Sequence, residues 1–243
     1  MRFNPIDKDR YEHFYCHVDV LIVGGGVSGL TAAYQSGVSG ATTLLLEQAP
    51  YVGGRALVDE EEVDSKSTQK WTEEILSLLN KMDNVTVKKR TMASGVYDHG
   101  YVLGYERVSD HKPGKGLIRH RLWKVRARKV ILASGSIERP LVFPGNDVPG
   151  VMLASAVRDY IKLYGVSPGD RAVIITNNDD AYRTAIELNS IGLTVKAIID
   201  AREENNGSLA HKVRKLGIIV KYGRGISRVI GNKSVKSVAI CSQ

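Results

Sequence analysis

An α/β chain with two successive parallel-sheet halves is predicted by three observations. Val18, Val20 and Ile22 alternate with their neighbours and run straight into a glycine cluster, the pattern of a buried strand entering a tight turn. Gly24, Gly26 and Gly29 fit G-x-G-x-x-G where a helix can begin, and an acid, Glu47, ends the next strand roughly 20 residues later. From Arg171 onward strand, helix and strand recur in order, without a second glycine motif. Together these predict a Rossmann-type dinucleotide-binding domain of the FAD/NAD(P)-binding, pyridine nucleotide-disulfide reductase-like kind, followed by a second, degenerate βαβ domain. The expected division is an N-terminal segment over 1–16, the first domain over 17–144, and an incomplete second domain over 145–243.

Each glycine of the fingerprint has its own task. Gly24 permits the turn, Gly26 lets the backbone approach a diphosphate, and Gly29 lets the helix pack on the strand, with Ala33 keeping that packing close. Val27, Ser28 and Gly29 begin the helix, so their amides lack intrahelical partners and the dipole favours negative charge there. Thr43–Leu46 is the second strand. The Glu47 carboxylate can accept from both ribose hydroxyls and would repel a 2′-phosphate, which favours NAD or FAD over NADP. Gly54, from the Gly53–Gly54 doublet, and Arg55 offer a second close approach and a cation.

Further along, the acidic stretch Asp59–Glu62 reads as a solvated loop. Residues 71–82 place Trp71, Ile75, Leu78, Leu79 and Met82 on one helical face, and Val85–Val87 predicts a third parallel strand. The loop at Thr91–Ala93, with Met92 at its centre, is where an adenine would meet backbone. Strand patterns at Gly95–Tyr105 and Arg121–Ala127, joined by a polar turn over 110–116, predict a small antiparallel layer. Val130–Leu132 predicts a buried strand that ends in small residues, which adds Ala133 and Gly135 to the candidate cofactor site.

Pro140, Pro144 and Pro149 punctuate the crossing into the second half. Helices over 155–164, 181–190 and 208–216 and strands over 171–176, 193–200 and 218–221 are expected, with a last strand at Val235–Ile240 in a sheet that stops. Where this half would carry its glycine loop, the chain reads Thr176-Asn177-Asn178-Asp179-Asp180-Ala181. Two carboxylates there would repel a diphosphate, so no second nucleotide is expected.

Composition narrows the function. The chain of 243 residues is 43% hydrophobic and 25% charged, an ordinary globular balance with no apolar run near the roughly 20 residues of a membrane helix. Its N-terminus lacks the apolar core of a signal peptide, so a cytoplasmic location is expected. The net charge of +8 is dispersed, which favours a solvated surface or an acidic protein partner over nucleic acid. Cys16 and Cys241 stand at opposite ends with no C-x-x-C, so no redox disulfide is expected. His13, Cys16 and His17 supply at most three ligands, and no metal site is expected.

Longer strings then carry a specific likeness. Tyr97-Asp98-His99-Gly100, Arg121-Leu122-Trp123-Lys124-Val125-Arg126-Ala127, Ile137-Glu138-Arg139-Pro140, Pro149 to Val157 and Thr176-Asn177-Asn178-Asp179 resemble the alpha subunit of heterotetrameric sarcosine oxidase, and the likeness runs from His17 onward. That resemblance implies a complex that oxidises the N-methyl amine of sarcosine on a flavin, passes electrons through a second flavin to oxygen, and hands the one-carbon unit to folate. It implies NAD on this chain along Gly24, Gly26, Gly29, Glu47, Gln48 and Gly54-Arg55, FMN at its border, and FAD mainly on a beta subunit. Expected partners are that flavin-bearing beta subunit and further subunits of the complex, with no nucleic acid and no membrane. No catalytic acid or base for amine oxidation transfers to this chain. Against the family pattern, N-terminal and C-terminal domains are missing, which reads as a fragment, a truncated gene or a split subunit. The alternatives are an FAD-dependent NADH reductase component, and a non-catalytic assembly module with Tyr97–Tyr105 as its docking face.

Overall fold

The computed structural model describes residues 9–112, 114 and 116–242. The first eight residues of the expected N-terminal segment, and two positions of the polar turn over 110–116, lie outside them. Two compact units emerge, Met1–Ser136 and Ile137–Gln243, so the division falls eight residues before the expected one.

The first unit is built on a six-stranded sheet in the order β5-β2-β1-β8-β7-β6. Its parallel part comprises β1 (Arg10–Val23), β2 (Thr43–Leu46), β5 (Val85–Lys88) and β8 (Ile118–Leu132). β6 (Thr91–Tyr97) and β7 (Tyr101–Arg107) continue it antiparallel. Helices α1 (Val27–Val38) and α3 (Thr68–Leu79) pack on one face, where Ile22, Leu30, Ala33, Leu45, Trp71, Ile75 and Leu79 form a core. The other face is covered by the sheet itself. Leu21, Leu44 and Leu46 meet Val102, Trp123 and Val125, and β7 passes so close that a Cβ on Gly104 would lie 3.2 Å from the Leu46 side chain.

Several elements depart from expectation, each for a visible reason. β1 starts at Arg10 because Tyr11–His17 pairs in register with His120–Arg126, and Arg10 with Ile118 across a bulge, supported by Phe14 against Trp123 with ring centroids 4.5 Å apart. Arg121–Ala127 and Val130–Leu132 form one strand, since neither glycine nor proline interrupts 117–134. Leu132 is 68% exposed and Ile131 39%, because β7 pairs with β8 only as far as Arg126 and leaves the last turns of that edge open. The run Gly95–Tyr105 is broken by a 3-10 turn at Asp98–Gly100, where His99 and Gly100 adopt φ of 57° and 67° and a side chain on Gly100 would strike the Ala127 carbonyl. Thr91–Ala93 belongs to β6 and is not a loop. Leu78, expected in the core, is 43% exposed, since the buried stripe of α3 runs through Trp71, Ile75 and Leu79. The acidic stretch adds a short helix α2 (Arg55–Val58) and a two-residue hairpin of β3 (Glu62–Val63) with β4 (Lys66–Ser67).

In the second unit β9 (Arg171–Thr176), β10 (Thr194–Asp200) and β11 (Val220–Lys221) form a parallel sheet in the order β11-β10-β9. Helices α4 (Ala154–Tyr164), α5 (Asp180–Ser190) and α6 (Ser208–Lys215) enclose a core of Ile174, Tyr182, Ala185, Leu188, Ile198 and Val213. Glu138 caps α4 by accepting from Ser155 N at 2.6 Å and from its hydroxyl at 2.5 Å. Gly165, at φ 63°, ends the helix by donating to the Ile161 carbonyl. The last expected strand does not extend this sheet: β13 (Val235–Ser242) pairs antiparallel with β12 (Arg224–Gly231) in a separate hairpin.

Candidate dinucleotide-binding site

β1 delivers the chain to the glycine turn at its C-terminal end, beside the end of β2. Gly24 has φ 107°, and a Cβ there would fall 2.7 Å from the Ala133 carbonyl carbon. A Cβ on Gly29 would be driven into the Gly24 carbonyl oxygen. Both positions therefore need glycine for packing. Gly26 does not: its φ of −72° suits any residue, and the nearest neighbour of a Cβ there is Gly54 Cα at 4.0 Å. That open side leaves room for a diphosphate against the backbone, so the residues present fit a dinucleotide.

The amides point the same way. The first α-helical bond of α1 runs from Leu30 N to Gly26 O, so Val27, Ser28 and Gly29 present N–H groups without intrahelical partners, and Gly26 at the N-cap supplies no side chain. Beside them Gly53 N donates to Gly25 O at 2.7 Å, and Gly26 bridges Gly53 in parallel fashion. This docks the glycine doublet onto the loop. Gly25 carried no signal in the sequence, because it stands outside the fingerprint and its role is contact with Gly53, a member of the expected doublet.

Glu47 is held by the backbone. Its Oε2 accepts from Gly25 N at 2.6 Å and its Oε1 from Ala49 N at 2.7 Å, which fixes both oxygens and leaves further lone pairs for ribose hydroxyls. Gln48 exposes its side chain while its carbonyl accepts from Arg107 Nη2 at 2.8 Å. Ala133 donates its amide to Val23 O at 2.8 Å and packs against the glycine turn, so the structure joins it to Gly24, Gly26, Val27, Ser28, Gly29 and Glu47.

Gly54 borders this arrangement, and the other candidates stand further from it. Arg55 opens α2 and pairs with Asp59 at 2.9 Å, so its charge is already partly met. Gly54 has φ 58° and faces Gly26. Gly135 has φ 70° with nothing within 4 Å of a Cβ, and Met92 is 45% exposed on β6 opposite Tyr105. A separate cleft of about 710 Å³, lined by His17, Asp19, His99, Arg126 and Arg128, lies several residues back along β1 from the glycine turn. None of the fingerprint residues lines it.

Residues 19–100 match the family described as FAD dependent oxidoreductase. The chain is 40% identical over 229 residues to the sarcosine oxidase subunit alpha of Rhizobium meliloti (strain 1021), covering 92% of this chain and 23% of that protein. With the corresponding subunit of Corynebacterium sp. (strain P-1) it shares 38% over 238 residues, 96% of this chain and 24% of that protein. The chain is similar to sarcosine oxidase alpha subunits. It spans about a quarter of the length of these curated relatives, and the resemblance expected from the quoted strings holds over nearly the whole chain. Among solved structures, Lactococcus lactis thioredoxin reductase (FR conformation) superposes with a TM-score of 0.68 at 20% identity, covering 93% of this chain and 71% of that one. This bears out the predicted fold class.

Alongside that likeness, the second unit replaces a glycine loop with a closed ion network. Asp179 Oδ1 accepts from Arg202 Nη1 at 2.8 Å and Asn205 Nδ2 at 2.9 Å. Arg202 also forks onto Asp200, with Nε on Oδ1 at 3.0 Å and Nη2 on Oδ2 at 2.7 Å, and the Tyr182 hydroxyl donates to Oδ2 at 2.7 Å. Asp180 pairs with the buried Arg158 at 2.7 Å. The two carboxylates expected to repel a diphosphate are thus each paired with an arginine. Burial opposes ionisation of Asp200, yet Arg202 and Tyr182 together hold its carboxyl below the usual carboxylate range. Burial, then the bond to Asp200, pushes the Tyr182 hydroxyl well above an ordinary tyrosine. Among the described residues, no three His, Cys, Asp or Glu side chains converge to hold a metal ion, and no helix is long and apolar enough to cross a membrane.

Proposed function

We propose that this chain is the nucleotide-holding part of an oxidoreductase subunit of the sarcosine oxidase kind. It grips one adenine dinucleotide across Gly24, Gly26, Val27, Ser28, Gly29, Glu47 and Ala133, with Gln48, Gly54 and Arg55 at the rim, while flavin-bearing partner subunits oxidise the amine and pass electrons to oxygen. The observation that carries this reading is Gly26, the fingerprint glycine for which packing gives no reason. When bound, a nicotinamide or flavin supplies the hydride chemistry. The chain's own residues do the holding: unpaired α1 amides face the diphosphate, and the fixed Glu47 carboxylate accepts from the ribose. The asymmetry between the units, one loop open and one carrying paired carboxylates, supports a single dinucleotide per chain; the resemblance carries the proposal of a cytoplasmic hetero-oligomer.

NAD is the proposed ligand on the strength of the resemblance. FAD is the second reading, favoured because the FAD dependent oxidoreductase match at 19–100 spans the glycine loop and Glu47 themselves. Denaturing the purified chain and identifying the released nucleotide by mass spectrometry decides between them, with Glu47→Ala as control. NAD supports the first reading and FAD the second. Neither, after soaking with both, refutes the site.

A further inference from the structure

The acidic turn that follows β2 is held from a strand outside the glycine fingerprint. Glu47 keeps its two backbone bonds, to Gly25 N and Ala49 N, only while the backbone of 47–49 keeps its own place. Four contacts set that backbone, the first from Glu47 N to Lys88 O at 2.8 Å. Thr91 N donates to Glu47 O at 2.7 Å and Arg90 N to Ala49 O at 2.9 Å, both from the segment directly after β5. The fourth comes from a side chain of β7: the Arg107 guanidinium donates to Gln48 O at 2.8 Å across 59 residues of chain, while Arg107 N bonds Arg90 O at 2.9 Å. Among the described residues Arg107 has no carboxylate partner; it stands exposed with its side chain directed to a neutral carbonyl beside Glu47.

We infer that Arg107 is the positioning residue that locks the Glu47 carboxylate in its ribose-accepting geometry and so sets the preference for a free 2′-hydroxyl over a 2′-phosphate. This rests on reading Gly24–Glu47 as an adenine dinucleotide site. Accepting from two adjacent hydroxyls requires both carboxylate oxygens within about 0.5 Å of their productive places, which a second layer of hydrogen bonds normally secures. A carboxylate whose turn has loosened swings aside for a 2′-phosphate, and discrimination falls.

The test uses the full chain as wild type, Arg107→Met and Arg107→Lys. Affinities for ADP-ribose and 2′-phospho-ADP-ribose are measured by titration calorimetry, and amide hydrogen exchange at Gly25 and Ala49 is followed without ligand. Arg107→Met, which retains the stem but no donor, is expected to weaken ADP-ribose about tenfold, to narrow the preference over the 2′-phosphorylated form severalfold, and to speed exchange at Ala49 about tenfold. Arg107→Lys restores part of each. Binding by wild type with an unchanged preference and unchanged exchange in Arg107→Met overturns the assignment of Arg107 alone. No binding of either ligand by wild type overturns the dinucleotide reading and the ribose preference together.

Discussion

Substituting Gly26 and Gly29 by alanine separates ligand approach from packing within one helical turn. At Gly29 the new methyl group would be driven into the Gly24 carbonyl oxygen, a backbone atom that cannot give way without moving the turn. Overpacking of this kind costs about 1–3 kcal/mol or more, roughly 2–12 °C of melting temperature for a domain of this size. At Gly26 the same methyl meets nothing nearer than Gly54 Cα at 4.0 Å, and φ −72° is an ordinary conformation for alanine. The loss of a glycine N-cap, about 0.5–1 kcal/mol relative to alanine, is offset by about 0.4–1 kcal/mol from a less flexible unfolded chain. Gly26→Ala should therefore melt within about 2 °C of wild type, yet bind ADP-ribose about 10- to 100-fold more weakly because the methyl occupies the diphosphate cradle. Thermal unfolding by circular dichroism and titration calorimetry read the two effects separately. If Gly26→Ala melts as low as Gly29→Ala, or binds as tightly as wild type, the division of roles among the fingerprint glycines is wrong.

The remaining expectations concern the carboxylates. Glu47→Gln turns an NH₂ toward one of the two amides that now donate to the carboxylate, so ADP-ribose should bind about tenfold more weakly in calorimetry, with a narrower preference over its 2′-phosphate. Asp200→Ala strips the buried partner from Arg202 and Tyr182 and should cost about 3–5 kcal/mol in urea unfolding, an effect that Arg202→Ala should largely reproduce. Because the Asp200 carboxyl is depressed in the fold, its contribution is fully present above about pH 3.9 and is lost as pH falls through the folded value; the raised Tyr182 contributes below about pH 10 and is lost above it. Urea midpoints measured across both windows should fall at each end, and in Asp200→Ala the acid slope should flatten.

What was legible in the sequence is what local spacing determines. A strand, a turn and a helix start in one run of residues must bring Gly24, Gly26 and Gly29 together, and Glu47 follows because β2 lies beside β1. Contacts across long separations left no comparable signal. Arg10–His17 carries polar and aromatic residues on both faces, so its alternation shows nothing until its partner, more than 100 residues later, is known. Arg107 reaches Gln48 over 59 residues, and neither residue type announces the other. The degenerate loop at Asp179 was visible as an absence of glycine, but its physical state was not, since Arg202 lies 23 residues away and only the fold reveals that it satisfies both Asp179 and Asp200. That difference bears on function. A bare pair of carboxylates would repel a nucleotide and could be relieved by removing one; a paired network resists through its own stability, so emptying it costs folding free energy before any ligand can enter. The two halves of this chain therefore differ at the same topological position: one is open above glycine, the other carries carboxylates paired with its own arginines.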